Sequence, residues 1–166
     1  YINYDWDYIC FTDNEHLLKM RHFGAWEIRP LFFHELDNQL NNRWHKTHPH
    51  ILFPDYTKSI YIDSNISVLT DYCFKKINEL NKNIVIPRHY EKDCIYDELV
   101  FVMQTIVKQG KEKAENVLKM KALLEEKKFP HHYGLNENNF IYRRHNELQI
   151  IKMMEEWWTL ITNYTR

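Results

Sequence analysis

Ser59-Ile60-Tyr61-Ile62-Asp63-Ser64-Asn65 is the stretch on which the predicted fold depends. Residues 59–62 are mostly apolar and β-branched or aromatic, which is typical of a short buried strand. The polar triplet 63–65 follows at once, where the rim of an open α/β sheet presents ligand-binding side chains. We therefore predict a strand over 59–62 with a candidate ligand site directly after it.

Strand-like and helix-like patterns alternate on both sides of this stretch. The other predicted strands are 7–12, 26–29, 84–86 and 140–142. Helices are predicted after Thr70, over 95–108 and 111–127 around Gly110, and after Asn146. The expected apolar faces are Tyr72, Cys73, Ile77 and Leu80 in the first helix, and Leu148, Ile151, Met154, Trp158 and Ile161 in the last. Alternating strands and helices indicate an α/β fold, with a sheet covered on both faces.

Length and composition fit one folded domain over 1–166. The chain is 44% hydrophobic with only 3 Gly and 5 Pro, which excludes a disordered or low-complexity protein. A net charge of -1 gives no general attraction to nucleic acid, and no apolar run is long enough for a transmembrane segment. Three widely spaced cysteines indicate a reducing compartment, so a cytoplasmic location is expected.

Asp63 and Asn65 are the first candidates for chemistry. A carboxylate and an amide oxygen two residues apart can bind one Mg²⁺ or Mn²⁺ ion and its diphosphate. The alternative is an ordinary turn, since Asp-Ser-Asn is a common loop triplet. Asp13 and Arg143 are also predicted near the carboxyl ends of strands, where ligands bind in open sheets.

The segment 43–50 offers a second group of candidates. Arg43 and Lys46, with imidazoles between and after them, suit a pyrophosphate. Two alternatives remain open, namely a zinc site and a solvated basic loop. The zinc site would use His45, His48 and His50, although their spacing matches no closed zinc pattern.

Further candidates lie near the end of the chain. Glu137 can orient an acceptor hydroxyl or act as a base, and His145 can be a ligand. Residues of these types are more often ordinary polar surface residues. Trp158 is expected in the core, while Trp157 can face a sugar ring, although core packing is the commoner role. Cys94 is rejected as a nucleophile, because no base near it can be identified.

Several of these residues form an ordered series over nearly the whole chain. Its segments are Tyr8-Ile9-Cys10-Phe11-Thr12-Asp13-Asn14, Trp26-Glu27-Ile28, Arg43-x-x-Lys46-x-x-Pro49-His50-x-x-Phe53-Pro54-x-Tyr56, Ser59-Ile60-Tyr61-Ile62-Asp63-Ser64-Asn65-Ile66, Cys94-Ile95-Tyr96-x-Glu98, Gly134-Leu135-x-Glu137, Arg143-Arg144-His145 and Trp157-Trp158. The series resembles a glycosyltransferase-like family long catalogued as a domain of unknown function. Its members include plant mucilage and turgor-regulation proteins and bacterial proteins of surface-polysaccharide loci.

The resemblance implies a GT-A-like fold, which is a Rossmann-type mixed sheet flanked by helices, truncated here at both ends. It implies that Asp63 and Asn65 lie beside Mn²⁺ or Mg²⁺ and the sugar diphosphate. Asp13 would lie near the base or ribose. The other cofactor-binding residues would be Arg43, Lys46, His50 and Arg143. The family continues past the double Trp with roughly Ser/Thr-Arg-Arg-Asp-Gln, whereas this chain ends at Thr165-Arg166, so the piece alone is expected to be inactive.

Together these features predict a glycosyltransferase of surface-polysaccharide synthesis. It would transfer a sugar from a nucleotide diphosphate to a carbohydrate or lipid-linked acceptor, peripherally at the inner membrane through parts outside this chain. Asp63 and Glu137 would be its catalytic residues. One alternative is a metal-dependent hydrolase, which needs clustered His and Asp ligands. The other is a degenerate, non-catalytic nucleotide- or sugar-binding module, favoured by the charge that Asn65 removes relative to a second Asp.

Overall fold

Two small sheets form the centre of this mixed α/β protein, whose computed structural model describes residues 1–164. The first sheet contains β1 (Tyr8–Thr12), β2 (His22–Phe23) and β3 (Trp26–Pro30), in the order β1-β3-β2. The second contains β4 (Ser59–Ile62), β5 (Ile84–Val85) and β6 (Phe140–Arg143), in the order β4-β6-β5. The α/β class is confirmed, but the strands are divided between two three-stranded sheets.

The two sheets differ in strand direction. In the first sheet β1 pairs parallel to β3, with Tyr8 opposite Trp26, while β2 is antiparallel to β3. In the second sheet the central strand β6 is antiparallel to both neighbours, with Ser59 opposite Arg143. This direction decides which residues meet at each edge of the sheet.

Seven helices, within the described 1–164, surround the sheets. They are α1 (Glu15–Met20), α2 (Asn38–Thr47), α3 (Pro49–Leu52), α4 (Tyr72–Leu80), α5 (Ile95–Phe101), α6 (Ala114–Glu126) and α7 (Leu148–Tyr164). A π-helical turn, Val102–Ile106, continues α5. None of the helices in this part of the chain is long and apolar enough to cross a membrane.

Residues 43–47 belong to helix α2, whereas one interpretation of the sequence placed 43–50 in a solvated basic loop. Asp37 starts it by accepting a hydrogen bond from the Leu40 backbone N–H, 2.9 Å away. Its buried face is Asn41, Trp44 and Thr47, at a spacing of three. Two of these three side chains are polar, so the hydrophobic pattern that reveals a helix is missing from the sequence.

Helix α7 packs against α2, and its buried face differs partly from the expected one. Met154 and Ile161 are buried as predicted, but Leu148 is 84% exposed and Ile150, only 4% exposed, takes its place. The Asn146 side chain donates to the carbonyl oxygens of Pro54 and Tyr56 and therefore ties the start of α7 to that loop.

Helix α4 shows a similar change of face. Phe74 and Ile77 are buried, whereas Tyr72 and Leu80 are exposed. The Thr70 hydroxyl does accept a hydrogen bond from the Tyr72 backbone N–H, at 3.3 Å, as its expected position before the helix implies. The Phe74 ring lies 5.7 Å from that of Trp6, so contacts with the N-terminal segment select this face.

Candidate functional site

The antiparallel pairing of β4 and β6 determines which residues stand beside Asp63. The Asp63 backbone N–H continues the ladder beyond β4 and donates to the Asn139 carbonyl, at 2.9 Å. Residues that precede β6 therefore share an edge with Asp63. Arg143 ends β6 opposite Ser59, at the other end of the strand pair. The expectation that Arg143 and Asp63 meet at one edge through their strand ends is therefore wrong.

Glu137 stands at the Asp63 edge of the second sheet. Its backbone N–H donates to the Pro87 carbonyl at 2.9 Å, just beyond β5. Its carboxylate accepts from the Asn139 amide at 3.3 Å and lies 4.0 Å from His89 Nε2. Sequence reasoning missed His89. The available signal was the predicted strand over 84–86. His89 follows that strand, and the residues that follow it lie at the same edge of the sheet as Asp63.

Lys46, on α2, forms an ion pair with Asp63. The Lys46 Nζ lies 3.6 Å from Asp63 Oδ1, and the two side chains are 12% and 38% exposed. The same oxygen accepts a hydrogen bond from the Tyr61 hydroxyl at 2.7 Å. Burial lowers the pKa of Lys46, and the Asp63 charge partly offsets that effect. The structure thus brings together two of the predicted residues.

The Tyr61 ring packs against the Lys46–Asp63 ion pair. The Lys46 Nζ lies 4.6 Å from the ring centroid, within cation–π range. Burial, followed by the hydrogen bond to Asp63, raises the pKa of Tyr61 far above its usual value. Tyr61 therefore stays protonated and keeps donating to Asp63. The sequence placed Tyr61 in the strand but gave no sign of this role.

The 63–65 triplet forms a turn, as one interpretation expected. The Ile66 backbone N–H donates to the Asp63 carbonyl at 2.9 Å, and Asn65 is exposed. A turn does not remove these side chains from a ligand site, because both residues line a large cavity. Their oxygens are the hard donors that Mg²⁺ and Mn²⁺ prefer. The donor set therefore fits such an ion.

A cavity of about 830 Å³ lies between the two sheets, within the size range of small-molecule sites. Four of the predicted site residues border it, namely Asp13, Asp63, Asn65 and Arg143. Its aromatic wall includes Trp6, Tyr8, Phe11, Trp26, Phe53 and Tyr56. Helix α2 contributes polar side chains, which are Asn38, Asn41, Asn42 and His45. The cavity thus combines flat apolar surfaces with an acidic end at Asp63.

Arg143 borders the cavity but is only 1% exposed. Its Nη1 donates to the Lys46 carbonyl at 2.6 Å and lies 3.1 Å from Met154 Sδ. Burial lowers its pKa to about 10. An arginine that binds a late carbonyl of a helix stabilises the C-terminal end of that helix. Arg143 therefore positions α2, and with it Lys46, and this placement does not support direct contact with a phosphate.

Arg43 is half-buried on α2, and burial lowers its pKa, while Glu112 and Asp37 oppose the change. It is within electrostatic range of Lys46, whose pKa it lowers slightly. The cavity-bordering set found among residues 1–164 does not include Arg43 or Lys46. Lys46 nevertheless reaches the cavity wall through its ion pair with Asp63.

His50 contacts α7. Its Nε2 lies 3.1 Å from Glu155 Oε1, and His48 Nε2 lies 3.6 Å from the same oxygen. In His45, Nδ1 is 2.7 Å from the Asn41 carbonyl and Nε2 accepts from the Phe32 backbone at 3.0 Å. Both nitrogens of His45 are thus engaged. The zinc alternative built on His45, His48 and His50 is therefore wrong.

His145 and Trp158 pack behind the site, and only His145 is fully buried. His145 is fully buried, with Nε2 3.0 Å from the Phe53 carbonyl. The Trp158 ring meets that of His48 edge-on at 5.5 Å and lies half-buried beside α2, as expected of a core residue. Both side chains support the packing behind the site.

Stability should fall in mild acid because His48 is buried. Its ring stacks on Trp44 at 4.5 Å, and burial lowers its pKa, with partial opposition from the Trp44 carbonyl and Glu155. The unfolded chain, with a His pKa of about 6.5, then binds a proton before the native state does. This contribution is complete above about pH 6.5 and is lost as the pH falls toward the native value.

We expect the melting temperature to drop between about pH 7.5 and about pH 5.5, and to drop less in His48→Gln. Burial lowers the pKa of His45 and His145 as well, so some acid sensitivity should remain. His16→Gln, at an exposed position, is the matched control and should behave like the wild type. An unchanged pH dependence in His48→Gln would contradict this account.

Comparison with known proteins adds no relative, since no family model, no curated protein and no solved structure matches this chain.

Proposed function

We propose that this domain is a glycosyltransferase of the GT-A type that uses a nucleotide-diphosphate sugar as donor. The observation that carries the proposal is the Asp63 carboxylate on the wall of the 830 Å³ cavity, with the Lys46 ammonium 3.6 Å away. A carboxylate and a cation side by side at a sheet edge suit a ligand that brings both a metal ion and phosphates. The free thiols of this domain fit a cytoplasmic location.

The cavity offers complementary surfaces to the rest of such a donor. Aromatic rings such as Trp26 and Tyr8, which meet edge-on at 5.3 Å, provide flat apolar area for a nucleobase. Asp13, which follows β1, can accept hydrogen bonds from ribose hydroxyls. The diphosphate would then extend toward Asp63, and the sugar would reach the edge that carries Glu137.

Asp63 and Asn65 would hold Mn²⁺ or Mg²⁺ through their oxygen atoms. The bound ion supplies Lewis-acid stabilisation of the charge that develops on the departing diphosphate. Lys46 supplies part of the same stabilisation from the protein, because its ammonium is held close to Asp63 by the ion pair and the Tyr61 ring. The Lys46 charge also reduces the negative potential at Asp63. This implies that Asp63 and Asn65 would bind the metal ion with modest affinity.

Glu137 is the residue we assign to the acceptor. It is joined to Asp63 through Asn139, which accepts from the Asp63 backbone and donates to the Glu137 carboxylate. A carboxylate in this place can orient the acceptor hydroxyl or take its proton. His89, 4.0 Å away, can hold the Glu137 side chain in position. The acceptor would be a carbohydrate or a lipid-linked saccharide.

The hydrolase alternative is weaker because its proposed histidine ligands are engaged elsewhere, as His45 is with Asn41 and Phe32. A non-catalytic binding module would use the same cavity as the transferase. It would retain donor binding and lack turnover.

A thermal-shift titration separates these possibilities. We expect UDP, GDP or ADP at saturating concentration to raise the melting temperature together with Mn²⁺, and much less without it. A ligand at 100 times its Kd stabilises the native state by about 2.7 kcal/mol, or roughly 5–10 °C for a domain of this size. Stabilisation by Mn²⁺ alone with ester hydrolysis would favour a hydrolase. No response to any nucleoside diphosphate with Mn²⁺ would overturn the proposal.

A further inference from the structure

A second group of potential ligands lies away from the cavity, where the start of α5 meets the segment 129–134. Several contacts hold these two parts of the chain together. The Gly134 backbone N–H donates to the Asp93 carbonyl at 2.8 Å, and the Tyr96 hydroxyl donates to the Phe129 carbonyl at 2.8 Å. The ring of Tyr96 also stacks on that of His131 with centroids 4.1 Å apart. The two segments are therefore held in a fixed relation.

Three different types of metal-binding side chain converge at this junction. Ligand atoms of Cys94, Asp97 and His132 all lie within 4.8 Å of one another. His131 contacts the group through the thiol, with its Nδ1 3.8 Å from Cys94 Sγ. Zinc–ligand bonds of about 2.0–2.3 Å in a tetrahedron separate neighbouring ligands by roughly 3.3–3.8 Å. Small side-chain rotations would therefore close the group around one ion.

The Cys94 thiol is buried beside the other potential ligands. The residue is 0% exposed. Its sulfur lies 3.8 Å from His131 Nδ1 and within 4.8 Å of ligand atoms of Asp97 and His132. The sulfur is therefore shielded from solvent and surrounded by donors of the kinds that bind zinc.

His132 is oriented as metal-bound histidines commonly are. Its Nδ1 lies 2.8 Å from Asp93 Oδ1, and metal-ligating imidazoles usually have a carboxylate or carbonyl partner of this kind. Its backbone φ of 53° lies in the left-handed region. A residue other than glycine adopts this conformation only at a cost in free energy. The surrounding contacts therefore hold His132 in a costly conformation that brings its ring to the thiol.

We propose that Cys94, Asp97 and His132 form a zinc site, with His131 as the fourth ligand. One thiolate and one carboxylate balance the charge of Zn²⁺, and a set of sulfur, nitrogen and oxygen donors suits this borderline-soft ion better than Mg²⁺ or Mn²⁺. With four protein ligands the site is closed, and its role is structural. The ion would join the start of α5 to 129–134, the segment that leads to Glu137.

This site is independent of the proposed donor site. The cavity ligands Asp63 and Asn65 offer oxygen atoms alone, whereas this group includes a sulfur. From the sequence, Cys94 has no identifiable base nearby. The structure brings imidazoles to it, from residues 37 and 38 positions later in the chain. The spacing Cys-x-x-Asp followed by a distant His-His pair matches no common zinc pattern.

The experiment is a Co²⁺ titration of the whole chain after treatment with a chelator. We expect one equivalent to produce a thiolate-to-cobalt charge-transfer band in the near ultraviolet, and one equivalent of Zn²⁺ to abolish it. Cobalt bound at Asp63 through oxygen cannot give this band. Cys94→Ser should lose the band, and Cys73→Ser, which removes a half-buried thiol of α4, should keep it.

Two further variants change ligands at exposed positions, where a substitution should leave the fold intact. Asp97→Asn and His132→Gln should each weaken Zn²⁺ binding at least about tenfold. Asp93→Asn, which removes the partner of His132, should weaken it by about 10–100-fold while the charge-transfer band remains. Absence of the band in the wild type, or a band of equal strength in Cys94→Ser, would overturn the proposal. Loss of nucleotide binding with the band intact would count against the donor site alone.

Discussion

Asp63→Asn, made in the longer protein that the family resemblance implies, is expected to reduce sugar transfer by at least about 100-fold, the usual consequence of removing one preorganised electrostatic contact to a developing charge. The change removes the negative charge that would hold the metal ion, and it leaves an oxygen that can accept the 2.7 Å hydrogen bond from Tyr61. The fold should therefore be retained. The measurement is release of nucleoside diphosphate from the nucleotide sugar whose diphosphate gives the largest Mn²⁺-dependent thermal shift.

The matched control is Asp55→Asn. Asp55 is an exposed carboxylate shortly before β4, so the variant has the same net charge as Asp63→Asn. It should transfer sugar at the wild-type rate. A melting temperature close to that of the wild type would show that Asp63→Asn is folded. If the Asp63→Asn protein transfers sugar normally, the carboxylate has no central part in the reaction, and the proposed function fails with it.

Most strand positions could be predicted from local sequence, because most strands are short runs rich in apolar, β-branched and aromatic residues. The two-residue strand β2 was not predicted. The prediction for 59–62 matches β4, and those for 7–12 and 140–142 agree with β1 and β6 to within one residue. Local patterns carry no information on strand direction. The antiparallel position of β6 between β4 and β5 depends on contacts between residues about 60 to 80 positions apart. Glu137 rather than Arg143 consequently lies at the same sheet edge as Asp63.

Helix α2 illustrates why the candidate site was predicted only in part. Asn41 is buried because its amide exchanges hydrogen bonds with the Leu36 backbone, at 3.0 and 2.8 Å, and no hydrophobic signal reports such a contact. Arg43 and Lys46 were identified by charge and spacing. Their different surroundings, with Lys46 at Asp63 and Arg43 near Glu112, arise from the way in which α2 packs.

The cavity itself could not be predicted, since it arises between two sheets that the sequence suggested as one. Asp13 was expected near the donor because it follows β1, and Asp63 because it follows β4. Both residues line the same cavity, although Asp13 follows a strand of the first sheet and Asp63 follows a strand of the second. The fold class and the positions of Asp13 and Asp63 after strands thus follow from local pattern. The shape of the site follows from long-range packing.

A substitution on helix α7 tests that packing most directly, and it has the largest expected effect on stability. The sequence pattern placed Leu148 on the buried face, whereas the structure exposes 84% of it and buries Ile150, which is 4% exposed. Removing a fully buried aliphatic side chain costs the lost transfer free energy and leaves a cavity. Ile150→Ala should therefore lower the free energy of unfolding by about 2–5 kcal/mol, out of a total of about 5–15 kcal/mol.

Leu148→Ala is the matched control in the same turn of α7. An exposed substitution in a helix should change the free energy of unfolding by no more than about 0.5 kcal/mol, since alanine is the best helix former. Urea denaturation of both variants measures the difference, and equal m-values would show that both free energies refer to the same unfolding transition. A large loss in Leu148→Ala with a small one in Ile150→Ala would mean that α7 is rotated toward the face predicted from the sequence. The contact of Arg143 Nη1 with Met154 Sδ would then not exist as described, because Met154 lies on α7.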